Sequence, residues 1–206
     1  MGGGVESGSM NAITPYITAT ELVVGYAHPL HQPVSFGLAA GDCLMLQGDN
    51  GSGKSSVIAA LAGDARIWQG QLVVAHGVSM AHQAQQPVQR QGFPLSVREY
   101  LRLAQVDLSG LPDRLRRVQS SVVGRLSGGQ LQLLAIWAAL AGPATVVLLD
   151  EPTNHLDQHG RACVADWLQQ ARRPEQALLL ISHDTDLQAL ATQQVQMIAA
   201  GHVAHD

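Results

Sequence analysis

The sequence predicts an α/β protein with a mostly parallel sheet flanked by helices, preceded by further strands and interrupted by a small helical lobe. Two observations carry this. From residue 128 onward, apolar runs of strand length alternate with stretches of helical periodicity, and strands separated by helices pair in parallel with the helices on both faces. The 206 residues are 46% hydrophobic and only 14% charged, enough to cover both faces of such a sheet.

The elements follow in order. The segment 17-ITATELVVGY-26 alternates and then runs apolar, as a strand does, and 33-PVSFGLAAGD-42 is a second extended piece ending in a Gly-Asp turn. A short apolar strand, 43–47, runs into a glycine loop, and a helix over 55–62 is stopped by Gly63. Two short strands are expected at 71–75 and 77–81. The polar, glutamine-rich stretch 83–92 is an expected exposed loop. In 95-LSVREYLRLA-104 a Ser cap with a Glu three residues later opens a helix, and the chain stays mostly helical to about Val123. Alternation then resumes as helix 128–141, strand 144–149, helix 158–171, strand 177–181, helix 184–191 and strand 194–199. Leu131, Leu134, Ala135 and Ala138 mark the core face of the first of these helices.

Residues 11–206 form one expected domain, behind a leader, 1-MGGGVESGSM-10, that reads as flexible and of the kind cloning adds; it lacks the pattern of a signal peptide. The uncharged stretch 131–149 has the length of a membrane span, but Gly142-Pro143 divides it into helix and strand. A net charge of −4, with arginines scattered apart from Arg114, Arg116 and Arg117, gives no reason to expect nucleic acid as a partner. Cys43 and Cys163 each sit alone among apolar residues and are expected to be buried, reduced thiols of a cytoplasmic protein. The histidine pairs His28/His31 and His202/His205 are expected at the surface, and no Cys/His spacing makes a zinc site.

Of 12 basic residues, 11 are arginine, and the one lysine is Lys54 in 48-GDNGSGKSS-56. This stretch fits G-x-x-x-x-G-K-[ST] from Gly48 to Ser55, between an expected strand and an expected helix. Gly48, Gly51 and Gly53, with Asp49, Asn50 and Ser52, let the backbone wrap so that successive N–H groups meet phosphate oxygens, helped by the helix dipole. A compact ammonium can reach a β- or γ-phosphate where a guanidinium fork is too bulky. The Ser55 hydroxyl can ligate Mg²⁺, with Ser56 beside it. The run 146-VVLLDE-151 ends a doubly buried strand in two carboxylates. Asp150 is placed to hold Mg²⁺ through water and Glu151 to polarise an attacking water. In 126-LSGGQ-130, Ser127, Gly128, Gly129 and Gln130 open a helix whose N-terminus is a second anion site.

The order of glycine loop, LSGGQ, Asp-Glu strand, 154-NHLD-157 and 182-SHD-184 resembles the ATP-binding subunit of ABC transporters over residues 17–200 or so. The resemblance implies a P-loop NTPase fold with an antiparallel N-terminal β portion. Residues 11–83 and 126–206 would form the ATP-binding core, and 84–125 a helical subdomain. It implies Mg-ATP as substrate and a head-to-tail homodimer sandwiching two ATP molecules, in which Ser127 and Gly129 of one subunit meet the phosphate held by Lys54 of the other. It also implies a transmembrane permease partner and a peripheral place on the inner face of the cell membrane. By the same resemblance Tyr26 stacks on adenine and Gln83, with Gln85 and Gln86 as rivals, contacts Mg²⁺ and links the site to the permease. His183 would contact γ-phosphate, and Asp157 belongs to the loop crossing between subunits.

The pattern is not followed everywhere. Leu131, Leu133 and Trp137 stand where the family usually carries basic residues, and Ser56 where threonine is commoner. The segment 93-FPLSVREYLRL-103 and the short spacing from Lys54 to Gln83 are similar to the ATPases of zinc and manganese importers. Two alternatives are a soluble ATPase of the same type acting in iron–sulfur assembly and a regulatory module that binds nucleotide without hydrolysis. Intact Lys54, Glu151 and His183 weigh against the second.

Overall fold

The structure, a computed structural model, describes residues 14–83 and 95–201. The leader, nearly all of the glutamine-rich loop with Gln85 and Gln86, and the pair His202/His205 lie outside the described residues. Two sheets form the framework. The first is antiparallel, with β1 (Ile17–Gly25) between β2 (Val34–Leu38) and β4 (Arg66–Val74). The second is wholly parallel, in the order β5 (Met80–Gln83), β6 (Val146–Asp150), β7 (Ala177–Ile181), β3 (Cys43–Gln47), β8 (Gln193–Gln196). The helices are α1 (Lys54–Ala62), α2 (Val97–Leu103), α3 (Asp113–Arg116), α4 (Gly128–Ala141), α5 (Gln158–Gln170) and α6 (Thr185–Gln188).

The two-residue period of the central strands builds two cores back to back. Cys43, Met45, Val147, Leu149, Leu178 and Leu180 face one side and pack with α2, α4 and α5. Leu44, Leu46, Val146, Leu148, Leu179 and Ile181 face the other and pack with Val57, Ile58 and Leu61 of α1 and the inner face of β1 and β2. All ten residues of β6 and β7 are buried, which explains their uninterrupted apolar sequence. Each fully buried Leu or Ile contributes roughly 1.5–3 kcal/mol relative to exposure, so the sheet is the stiffest place from which to hang a site.

Several boundaries differ from expectation. The expected strands 71–75 and 77–81 are instead the nine-residue β4 and the short β5. β4 pairs along all of β1, from Gly25↔Arg66 to Ile17↔Val74, a non-local ladder that the exposed side chains of Arg66–Gln69 do not announce. The expected helix 184–191 is cut to α6, and the expected strand 194–199 to β8. At Met197 the chain donates its N–H to the Gln47 carbonyl at 2.7 Å and then crosses to pair with residues 30–32, where Ala200 N–H donates to Leu30 O and Gln32 N–H to Ile198 O. On α4, Leu131 and Ala135 are only half-buried, whereas Gln132, Leu133, Ile136 and Trp137 are buried, because α4 is enclosed by the sheet, α5 and the segment before it. Cys163 is half-buried while Cys43 is fully buried; burial pushes the Cys43 thiol up to about 11. His31, expected at the surface, is 1% exposed.

The stretch 131–149 resolves into α4 and β6 around Gly142-Pro143. No helix among the described residues is long and apolar enough to cross a membrane.

Candidate functional site

The C-terminal ends of β3, β5, β6 and β7 lie side by side, and the sequence places a polar residue just at or beyond each of them. The Cα pairings Gln83↔Leu149, Asp150↔Ile181 and Leu46↔Ile181 set Gln83, Asp150, Ser182 and the start of the glycine loop along one edge. This edge, where parallel strands feed into loops and helix N-termini, is the usual ligand site of such sheets.

The loop after β3 turns into α1 through backbone conformations that favour glycine, with φ of +143° at Gly48, +83° at Gly51 and +86° at Gly53. The Ser56 N–H donates to Gly53 O and the Ser52 N–H to Asp49 O, both at 3.1 Å, while the N–H groups of Lys54 and Ser55, at the very start of α1, precede any intrahelical carbonyl they could reach. Lys54 is 8% exposed, and its ammonium donates to the carbonyls of Gly48 at 2.8 Å and Asp49 at 2.9 Å. A cation is thus held at the centre of the loop by the loop's own carbonyls, which an anion can displace. The Ser52 hydroxyl is buried with no hydrogen-bond partner, while Ser55 is exposed at the mouth.

Two adjoining cavities meet at Asn50 and Lys54. One, of about 300 Å³, is lined by the loop from Asn50 to Ser56 together with Leu30, Asp150, Glu151 and Ile181. The other, of about 480 Å³, adds Gly48, Asp49, Ser182, His183, Gln188 and Gln196. Sequence-distant groups are therefore brought together: the cation of Lys54, the hydroxyl of Ser55, the buried carboxyl of Asp150 (7% exposed) and the carboxyl of Glu151.

Glu151 stands out in backbone and charge alike. Its φ is +48°, a left-handed conformation that costs a residue with a Cβ of order 1 kcal/mol. It is held there because its N–H donates to Ile181 O at 2.9 Å and its carbonyl accepts from Asn154 at 3.1 Å. Burial pushes its carboxyl above the usual range, nearby His183 and Lys54 pull it back, and Asp150 adds to the rise. His183 Nε2 lies 3.3 Å from Glu151 Oε1. A carboxylate with a raised proton affinity, next to an imidazole and lining the cavity that Lys54 and Ser55 share, has the properties of a general base.

Other expected residues are close but not in these cavities. Gln83 is 3% exposed at the end of β5, beside the strand that ends in Asp150. Tyr26 is 57% exposed just beyond β1 and lines neither cavity. Ser127 caps α4: its hydroxyl accepts from Gln130 N–H at 3.3 Å while the Gln130 side chain accepts from Ser127 N–H at 2.9 Å. This capping box leaves Ser127, Gly128 and Gln130 exposed, and they line neither of the two cavities. Asp157 caps α5, accepting from Gly160 N–H at 2.6 Å, and its carboxyl is 3.8 Å from Arg114.

Sequence reasoning missed Gln132, which is 5% exposed and whose Nε2–H donates to Pro152 O at 3.1 Å. It ties α4 to the turn after Asp150-Glu151; a polar side chain within an otherwise apolar helix was the only signal. It also missed His31, discussed below.

A glycine loop between the parallel strand β3 and α1, facing an Asp-Glu pair at the end of β6 two strands away, defines a P-loop nucleotide-binding core with a capped Ser-Gly-Gly turn elsewhere on its surface. A family model described as ABC transporter matches residues 31–154, a span holding the glycine loop, LSGGQ and the Asp-Glu strand. The chain belongs to the ABC transporter family, as one of its ATP-binding subunits. It is 33% identical to the zinc import ATP-binding protein ZnuC of Roseobacter denitrificans, over 82% of this chain and 69% of that protein. To the protein of the same name from Marinobacter nauticus it is 31% identical, over 88% of this chain and 73% of the relative. A solved structure of an ATP-binding subunit of an ABC transporter superposes with a TM-score of 0.74 at 23% identity, covering 89% of this chain and 86% of the other; at that identity the likeness is one of fold.

Proposed function

We propose that this subunit hydrolyses ATP to power import of a divalent metal ion through a separate membrane permease. What carries the hydrolytic part is the convergence on one cavity of the Lys54 ammonium, the Ser55 hydroxyl and the Asp150 and Glu151 carboxyls. What supports the metal-ion part is the similarity to relatives named for zinc import. The Gly48–Ser56 amides and Lys54 bind the triphosphate, and Tyr26 takes the base. The residues present fit Mg²⁺: an exposed serine hydroxyl and a buried carboxyl are hard oxygen donors. Ser55, Asp150 and Gln83 would hold the ion, which neutralises charge on the phosphates.

Glu151 takes up the proton of the attacking water, its elevated proton affinity suiting it to the task, and His183 sits beside it to contact the terminal phosphate. The outward-facing Ser127–Gln130 turn and Asp157 serve a second subunit in a head-to-tail pair. Closure of that pair on ATP and its reopening after hydrolysis pass to the permease through Gln83 and the helices after β5. The subunit is then held at the inner face of the membrane by its partner.

Glu151→Gln keeps the backbone and removes the base. Steady-state hydrolysis is expected to fall by roughly 10²–10⁴ with ATP affinity retained; a variant that turns over at the normal rate removes Glu151 from this role. The transport part is tested by co-purifying the permease, reconstituting both in vesicles and measuring ATP-dependent Zn²⁺ uptake. Uptake that ignores ATP, or ATPase activity that ignores both permease and metal, contradicts it.

A further inference from the structure

His31 is a buried imidazole that the hydrolytic site does not use. Its ring has a defined tautomer. Nε2 accepts the Val24 N–H at 3.1 Å, and Nδ1 lies 2.7 Å from Gln32 O, so Nδ1 carries the proton and donates while Nε2 is the acceptor. Val24 is fully buried, and its N–H has no water to turn to. The same ring lies against the phosphate loop. A Cβ at position 53 would come within 2.8 Å of His31 Cδ2, so only a glycine there lets imidazole and loop touch. The backbone around His31 is clamped as well: its neighbours Leu30 and Gln32 bond Ala200 and Ile198, and His31 bridges Ala199.

These contacts join two parts of the site that the chain otherwise connects by way of a turn, β2 and β3. Val24 is two residues from Tyr26, on the segment assigned above to the base, and Gly53 adjoins Lys54 on the segment assigned to the phosphates. We propose that His31 is a positioning residue for nucleotide binding, its neutral ring spacing the base-side end of β1 from the phosphate loop. The proposal rests on the ATP-site reading above and adds a residue to it.

Burial holds the His31 ring below the ordinary histidine value, against a smaller upward pull from the Gln32 carbonyl. The titratable side chains on the elements packed round it are Glu21 on β1, Tyr26 and His28 on the turn and Asp49 and Lys54 on the loop; residues 198–200 contribute none. Because the folded value is lowered, the contribution of the neutral ring is present above the ordinary value near pH 6.5 and is lost as pH falls below it. Protonation turns the Nε2 acceptor into a donor facing the Val24 donor.

The test measures equilibrium binding of a non-hydrolysable ATP analogue, kcat and KM for ATP, and Tm, at about pH 8 and about pH 6 in wild type, His31→Gln and His31→Leu. Glutamine can place its amide oxygen where Nε2 accepts and does not titrate; leucine fills the space without an acceptor. In His31→Leu, affinity at the higher pH is expected to fall by about 10-fold, the scale of one buried amide left unpaired, with kcat at saturating ATP within about 2-fold. His31→Gln is expected to restore affinity, and its Tm to lack the extra drop that wild type shows toward the lower pH, where the unfolded ring takes up a proton that the folded ring resists. Wild-type affinity in His31→Leu, or an affinity in His31→Gln as low as that of His31→Leu, overturns the proposal. So does a loss in His31→Leu that appears only as a lower Tm without nucleotide and not in affinity. Lys54→Ala separates the two levels: if it binds the analogue like wild type, the nucleotide site itself is wrongly placed whatever His31 does.

Discussion

At the scale of single residues, the site is a set of groups held in states they would avoid in water. Glu151 combines a left-handed backbone with a carboxyl whose burial raises its proton affinity. Because its folded value lies above the usual carboxylate value, its favourable contribution is complete below that value and is lost as pH rises through the folded one. Ionised Glu151 therefore weighs against the nucleotide-free fold at neutral pH. Glu151→Gln is expected to melt at a higher temperature than wild type near pH 7, with the difference shrinking toward pH 4 or so; differential scanning calorimetry checks both limbs, and a lower Tm near neutrality contradicts the cause assigned to the shift. Lys54 shows the same economy. Its ammonium fits between two loop carbonyls at 2.8 and 2.9 Å, where a planar guanidinium does not. Lys54→Arg keeps the charge yet is expected to lose about 10–100-fold in ATP affinity, the scale of one or two charge-assisted hydrogen bonds, as read by calorimetric titration.

At the scale of elements, caps and tight approaches decide what local pattern alone leaves open. Gly70 in β4 has φ +73°, and a Cβ there would come within 2.2 Å of the Thr20 and Glu21 carbonyls, where β1 carries a register shift between Thr20 and Val23. Gly70→Ala is expected to destabilise by about 3 kcal/mol, seen as a lower urea midpoint; an unchanged midpoint would mean the two strands separate there easily. Ser127→Ala removes the α4 cap and is expected to cost about 1 kcal/mol.

How far these elements were legible follows from where their information lies. The α4 range was readable because Ser127 and Gln130 form a local capping box and Gly142-Pro143 a local stop. β7 was readable to its ends and β6 to within two residues, expected at 144–149 and found at Val146–Asp150, because both strands are apolar on both faces. β4 was underestimated because residues 66–70 owe their strand to a ladder with β1, distant in sequence. β8 was overextended because the chain leaves the sheet at Met197 to clamp Leu30 and Gln32. The glycine loop and the Asp-Glu pair could be read since each is a contiguous motif. Gln132 and His31 could not, because their roles depend on partners 20 and 7 residues away.

At the scale of the whole molecule, two cores grip one parallel sheet, and the sheet's C-terminal edge carries the cavity. The same edge leaves the capped Ser127–Gln130 turn facing outward, with Leu156 packed 3.5 Å from where a Gly129 side chain would begin. Each molecule thus presents the glycine loop and, elsewhere on its surface, a second exposed helix N-terminus at Ser127–Gln130. Such an arrangement suits an isologous contact about a two-fold axis, in which the loop of each molecule meets the turn of the other. Glu151→Gln with Mg-ATP is expected to double its mass in light scattering, and to remain single with ADP.

The central claim, that the loop around Lys54 holds the triphosphate of ATP, is tested most directly by thermal unfolding of wild type and Lys54→Ala with and without Mg-ATP. At about 100 times Kd, ATP should add about 2.7 kcal/mol to wild type and almost nothing to the variant at the same concentration. Equal stabilisation of both proteins, or of neither, would contradict it.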